Sequence, residues 1–333
     1  MKKYNIAIVG ATGLVGGAFL QVMEEYGIPV NNLRLFASSK SVGKEVIYGG
    51  KPYYLEALKD GCFVGTDFAL FSAGGSVSLK YAIQATNEGA IVIDNSSAWR
   101  MNKNVPLVVP EINMDDAYGQ SLIANPNCST IQAVLPLKIL DEKFGIDVIN
   151  YTTYQAVSGS GQSGISDLKR TLKGENPEFY PYNIAQTCIP HIDVFLEDGY
   201  TKEEHKMMNE TRKILHNNDI LISATCVRVP IENSHAISMQ VILKKEATLE
   251  EVRNCFSAQE GLIVVDDVKN NIYPVSTLSN QTDNVYVGRL RKDNTNQFGL
   301  LFYVVADNLR KGAASNAVQI MKKLMEKDVT KHA

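Results

Sequence analysis

The five cysteines, at positions 62, 128, 188, 226 and 255, are odd in number and widely spaced. None stand at C-x-x-C or metal-finger spacing, which argues against a disulfide framework or a structural metal and for a reducing, cytoplasmic compartment. A basic excess is also missing. The 33 Lys+Arg against 36 Asp+Glu leave a formal net charge of -3, which offers no field to a nucleic-acid backbone. No apolar run approaches membrane-spanning length. Met1-Lys2-Lys3 leads straight into a strand-like segment, so no signal peptide is expected. Metal, nucleic acid and membrane thus all fall outside the expected partners. What remains is an ordinary globular composition, 45% hydrophobic and 21% charged, with room in 333 residues for two domains.

Periodicity divides the chain by texture. Residues 4–10 read as a buried strand, followed by Gly10, Gly13 and Gly16. Val15, Phe19, Val22, Met23 and Tyr26 then recur at helical spacing until Gly27 and Pro29 stop them. Further strands are expected at Leu33–Ala37, Asp67–Ala73, Ile91–Asp94 and Leu122–Ala124, with a helix over Ser76–Asn87. Strands alternating with helices imply a parallel sheet with crossover helices, whose ligands bind at the carboxyl edge. Past Gly145 the texture changes. Asp147–Val157, Thr225–Leu243, Asn284–Leu290 and Leu300–Ala306 are β-type runs, and 201–216, Leu249–Ser257 and Asp307–Lys327 are helical patterns. An α/β chain follows: a Rossmann-type dinucleotide-binding domain, then an α+β domain on a mixed or antiparallel sheet.

Two motifs carry chemistry. The GxxGxxG loop of Gly10, Thr12, Gly13, Leu14, Val15 and Gly16 lies between a strand and a helix. Glycine there permits a tight turn and close approach of backbone to a pyrophosphate. The end of the next strand offers Ser38, Ser39 and Lys40 instead of the acidic residue that would hold an NAD ribose, so NADP is expected. The second motif is Asn125-Pro126-Asn127-Cys128-Ser129-Thr130, a cysteine at the mouth of an expected helix, where unpaired N–H groups favour thiolate. A nucleotide loop and an activatable cysteine together suggest hydride transfer through a thioester. A nucleophile needs a base within reach. Of His191, His205, His216, His235 and His332, spacing alone selects none.

Taken in order, these motifs resemble the aspartate-semialdehyde dehydrogenase family. The resemblance rests on the glycine loop, Asp94-Asn95-Ser96-Ser97-Ala98-Trp99-Arg100, Val109-Pro110-Glu111-Ile112-Asn113 and the Cys128 motif. It continues through Tyr154-Gln155-Ala156-Val157-Ser158-Gly159, Glu203-Glu204-His205-Lys206, Arg228-Val229-Pro230 with His235, and Asn308-Leu309-Arg310-Lys311-Gly312-Ala313. It implies an NADP-binding domain over 1–127, completed by a C-terminal helix at 308–333, and a catalytic and dimerisation domain over 128–307. By the same resemblance Cys128 is the nucleophile, His235 the acid/base, and Gln155 orients the acyl group. Arg228 would bind the substrate carboxylate and Glu203 its ammonium, with Arg100, Lys206 and Asn127 at the phosphate. Ser72, Ala73, Gly74, Ser158, Gly159 and Asn308 join the glycine loop and Ser38–Lys40 in the cofactor set.

The implied reaction is NADPH-dependent reductive dephosphorylation of aspartyl phosphate to aspartate semialdehyde, feeding lysine, diaminopimelate, threonine and methionine synthesis. A homodimer, or a homotetramer built from it, is the implied assembly. The alternative is N-acetyl-γ-glutamyl-phosphate reductase, whose cysteine sits in Asn-Pro-Gly-Cys-Tyr-Pro-Thr. This chain has Asn127 before the cysteine and supplies Glu203 for a free amine. Lys40 stands where many relatives carry arginine, giving charge without a bidentate fork.

Overall fold

A computed structural model describes residues 2–331; His332 lies outside the described residues. The chain divides into two compact units, Met1–Pro126 with Ala313–Ala333, and Asn127–Gly312.

The first unit runs β1 (Tyr4–Val9), α1 (Leu14–Glu25), β2 (Val30–Phe36), β3 (Glu45–Tyr48), β4 (Lys51–Glu56), β5 (Phe68–Phe71), α2 (Gly75–Asn87), β6 (Ile91–Asp94), α3 (Pro110–Asn113) and β7 (Leu122–Ala124). Its sheet has the order β3-β4-β2-β1-β5-β6-β7, parallel except for β3. Parallel strands are covered on both faces, which is why β5 is an unbroken apolar run with all four residues buried. β3 and β4 form a hairpin that the sequence reading passed over. Gly49 and Gly50 at its turn have φ of 56° and 72°, the positive pair that a two-residue turn matching strand twist requires. Strand order reverses beside β1, so the ends of β1 and β5 flank the crevice where such sheets bind ligands.

The second unit runs α4 (Cys128–Phe144), β8 (Ile146–Gln155), α5 (Gly161–Leu172), α6 (Lys202–Leu215), β9 (Leu221–Arg228), β10 (His235–Leu243), α7 (Leu249–Ala258), β11 (Leu262–Val264), α8 (Ser276–Ser279), β12 (Val285–Lys292) and β13 (Gly299–Ala306). The sheet order is β11-β12-β13-β10-β8-β9. β8 and β9 are parallel, as are β11 and β12, and the other pairs are antiparallel, so the sheet is mixed. α4 packs on α6 and β10. It buries Ile131, Val134, Leu135, Leu137 and Leu140 completely. The last helix, α9 (Ser315–Lys331), belongs to the first unit, where Val318 and Met321 join Ile8, Phe19, Met23 and Leu70 in one core.

Two local expectations are corrected. The β-type run Thr225–Leu243 is two strands, because Pro230 lacks an N–H for a ladder and Ser234 holds a φ of 73°. The C-terminal helical pattern begins at Ser315 rather than Asp307, after a π-type turn over Arg310–Ala314. Helix α5 has no counterpart among the expected helices. Among the described residues no helix is long and apolar enough to cross a membrane.

Candidate active site

Three expected site residues emerge from one edge of the second unit's sheet. β8 ends at Gln155 and β9 at Arg228, which are register partners; β10, antiparallel to β8, begins at His235. Gly159 lies against two of them. A Cβ built there would stand 2.9 Å from Arg228 Nη1 and 3.2 Å from His235 Nε2. Arg228 is buried, and its Nη1 donates to Ala156 O at 2.7 Å. His235 is fully buried, and its Nδ1 accepts the Ala156 N–H at 3.0 Å. An accepting Nδ1 assigns the proton of the neutral ring to Nε2, an atom buried without a partner among the described residues. Burial first, then the Arg228 guanidinium, push the imidazole down to about 3 against the opposing pull of Glu203. The ring is therefore neutral at physiological pH.

Cys128 opens α4, half-buried, with Asn127 as the N-cap. Asn127 Oδ1 accepts the N–H groups of Ser129 at 3.0 Å and Thr130 at 3.3 Å. A cap of this kind contributes about 1 kcal/mol to a helix. It also fixes the orientation of the first turn, which carries the thiol. Gly312 packs on the same turn, where a Cβ would lie 3.0 Å from Cys128 Cβ.

α6 begins with a reciprocal cap between Thr201 and Glu204 and presents Glu203 to the site. Glu203 is no surface residue: it is 5% exposed. Its Oε1 accepts from Asn127 Nδ2 at 2.9 Å and Gln155 Nε2 at 3.1 Å, and its Oε2 accepts from Lys206 Nζ at 2.9 Å. Burial opposes its ionisation, but Lys206 and the donated hydrogen bonds outweigh burial and hold the carboxyl at about 2. Lys206 also donates to Asp193 Oδ2 at 2.7 Å. Burial works against its charge, and the two carboxylates overcome that and raise its pKa. Cys128, Asn127, Gln155, Glu203 and Lys206 thus belong to one bonded neighbourhood of α4, α6 and β8. Asn308 serves that unit's loops: its Nδ2 donates to Ser158 Oγ at 2.9 Å, and its Oδ1 accepts at 2.9 Å the N–H of Ser234, the left-handed residue preceding His235.

The first unit holds the nucleotide-type residues. Gly10, Thr12, Gly13, Ser38, Ser72 and Ala73 line one cavity of about 360 Å³. Gly10 has a φ of +89°, and a Cβ there would meet Ser72 O at 2.5 Å; one at Gly16 would meet Gly10 O at 2.2 Å. The first glycine therefore opens the cradle, and the third lets helix pack on strand. Leu14 and Val15 begin α1 without lining the cavity, and Gly74 is the N-cap of α2. Ser39 and Lys40 lie exposed in a short turn beyond β2, and Lys40 has no side-chain partner among the described residues. Arg100 is buried, with Nε donating to Asn125 O at 3.0 Å and Nη2 to Asn95 O at 2.8 Å.

Comparison with known proteins agrees with this arrangement. A family model described as semialdehyde dehydrogenase, NAD binding domain, matches residues 5–120, and one described as semialdehyde dehydrogenase, dimerisation domain, matches 137–311. The aspartate-semialdehyde dehydrogenase of Aquifex aeolicus is 50% identical over 97% of this chain and 98% of its own. The chain belongs to the aspartate-semialdehyde dehydrogenase family. The Bacillus subtilis member is 42% identical over 97% of this chain and 98% of its own. The crystal structure of aspartate semialdehyde dehydrogenase II complexed with ASA from Vibrio cholerae is 40% identical. It superposes with a TM-score of 0.93, covering 98% of this chain and 99% of that one. Membership sets aside the N-acetyl-γ-glutamyl-phosphate reductase alternative.

Two neighbours of the nucleophile were not among the expected site residues: Glu210, and Gly312, which the Asn308–Ala313 motif contains without a role. Glu210 stands seven residues after Glu203, two helical turns along one face, and that spacing is the signal that would have found it. Gly312 gave no comparable signal, because its role depends on the π-type turn around it.

Proposed function

We propose that this chain converts aspartyl phosphate to aspartate semialdehyde, with release of phosphate, using NADPH and a Cys128 thioester. The observation carrying this reading is the convergence on one unit of a helix-mouth cysteine, a buried neutral histidine and a desolvated Arg228, in a chain of this family. Cys128 thiolate attacks the acyl carbonyl and expels phosphate, leaving a thioester. The cofactor, when bound, supplies the hydride that reduces that thioester. Cys128 then departs as thiolate from the resulting hemithioacetal, freeing the aldehyde. Charge develops on the carbonyl oxygen at each addition, and His235 Nε2 holds the proton suited to meet it. Gln155, held by Glu203, orients the acyl group.

Arg228 offers a planar fork to the α-carboxylate. Glu203, ionised through the working pH range, takes the α-ammonium, and Lys206, kept protonated by its two carboxylates, takes phosphate; Arg100 is assigned to phosphate by family resemblance. NADP is proposed over NAD because Lys40 and the hydroxyls of Ser38 and Ser39 follow β2 with no carboxylate to repel a 2′-phosphate. The Gly10 cradle supports a dinucleotide, since any side chain would fill it. We also assign the first unit to the cofactor and the second to chemistry and to homodimer formation, in a cytoplasmic enzyme whose cysteines are all free. The test is an absorbance assay of cofactor reduction with aspartate semialdehyde and phosphate. Turnover that requires both and prefers NADP is expected; turnover independent of phosphate would refute the acyl-phosphate chemistry.

A further inference from the structure

Helix α6 grips the residue before the nucleophile at two points, and only one of them belongs to the substrate machinery described above. Glu203 takes the Asn127 side chain. Two turns further along the same face, Glu210 Oε2 accepts the Asn127 main-chain N–H at 2.6 Å. Glu210 is 1% exposed, so this is a short hydrogen bond inside the protein. Thr211 beside it is fully buried and bonds Tyr151 OH at 3.0 Å, which fixes the rotation of α6 about its axis.

We propose that Glu210 is a positioning residue for the nucleophile: its carboxylate pins the Asn127 N–H and so sets the direction in which Cys128 leaves the cap of α4. Asn127 is then held on every polar group it can offer at the helix mouth. Its N–H goes to Glu210, its side-chain N–H to Glu203, and its side-chain oxygen to Ser129 and Thr130. The contribution of this contact is geometric. An attacking sulfur misplaced by about 1 Å loses on the order of a hundredfold in rate. The inference rests on the reading of Cys128 as the nucleophile.

Glu210→Gln keeps the size and an acceptor but not the charge. Glu210→Asp keeps the charge but withdraws the oxygen by one methylene. Both are made in a Cys188→Ser background, because Cys188 is the exposed cysteine and would report alongside Cys128. We expect kcat to fall tenfold or more in Glu210→Asp, with the KM for aspartate semialdehyde within twofold, and to fall less in Glu210→Gln, which keeps an acceptor for the Asn127 N–H. The pH midpoint for alkylation of Cys128 by iodoacetamide should be no higher than in the parent. Unchanged kcat in Glu210→Asp, or a larger loss in Glu210→Gln than in Glu210→Asp, would overturn the proposal. A raised alkylation midpoint would do so too, since the loss would then lie in thiolate formation rather than aim. A parent enzyme that alkylates at Cys128 but shows no turnover would sink the thioester reading instead, leaving the two failures distinguishable.

Discussion

Gly159→Ala isolates the space shared by Arg228 and His235. The glycine is outside the left-handed region, so alanine brings no backbone strain. Its methyl would stand 2.9 Å from Arg228 Nη1 and 3.2 Å from His235 Cε1 and Nε2. Ordinary contact between carbon and nitrogen is about 3.5 Å, so the guanidinium must retreat by roughly half an ångström or more. Arg228 Nη1 is the far end of a flexible side chain, so the fold can yield there cheaply. The same movement pulls Nη1 away from Ala156 O, now at 2.7 Å, and turns the fork from the carboxylate it is assigned. A displacement approaching 1 Å at a positioning group costs on the order of a hundredfold in rate. We therefore expect kcat/KM for aspartate semialdehyde to fall about a hundredfold with the melting temperature nearly unchanged. Gly161→Ala is the control. It has a φ of +75° and open space around it, so it should lose about 1–2 kcal/mol of stability while keeping its kinetics. Wild-type kinetics in Gly159→Ala would refute the reasoning.

Lys40→Ala should weaken NADPH by one to two powers of ten, the worth of a charged contact of about 1.5–3 kcal/mol, and leave NADH almost unchanged. The ratio of catalytic efficiencies with the two cofactors measures this, and an unmoved ratio would remove Lys40 from the 2′-phosphate. Glu203 has its carboxyl held at about 2, below the ordinary 4.5, so its stabilising contribution is complete above pH 4.5 and lost as pH falls toward 2. The shift corresponds to about 3 kcal/mol. Urea unfolding of the wild type should therefore steepen in pH dependence through that window, and Glu203→Gln should flatten it.

The parallel sheet was legible because buried strands such as β5 are unbroken apolar runs while helices such as α1 repeat their apolar residues every three to four positions, and glycines punctuate them. β3 and β4 escaped because they are short and mostly exposed, at and next to the sheet's edge, where the demand for an unbroken apolar run lapses; the Gly49-Gly50 turn signal was nevertheless present. Thr225–Leu243 is β-type at both ends, and the turn formers between them, Pro230, Asn233 and Ser234, mark where β9 and β10 part. At the site, Cys128 was visible from its helix-mouth position alone. His235, Arg228 and Glu203 acquired meaning only through resemblance, because a buried ion pair and a surface one share the same i,i+3 spacing. The link from Glu210 to Asn127 crosses 83 residues of sequence, a separation no local pattern encodes.

The central claim is that the acyl group passes through Cys128. Enzyme mixed with aspartate semialdehyde and NADP in the absence of phosphate, then quenched in acid, should carry one aspartyl acyl group on the Cys128 peptide by mass spectrometry. Adding phosphate before the quench should discharge it, and Cys128→Ala should never form it. Cofactor reduction with no adduct on any peptide, or turnover by Cys128→Ala, would contradict the account.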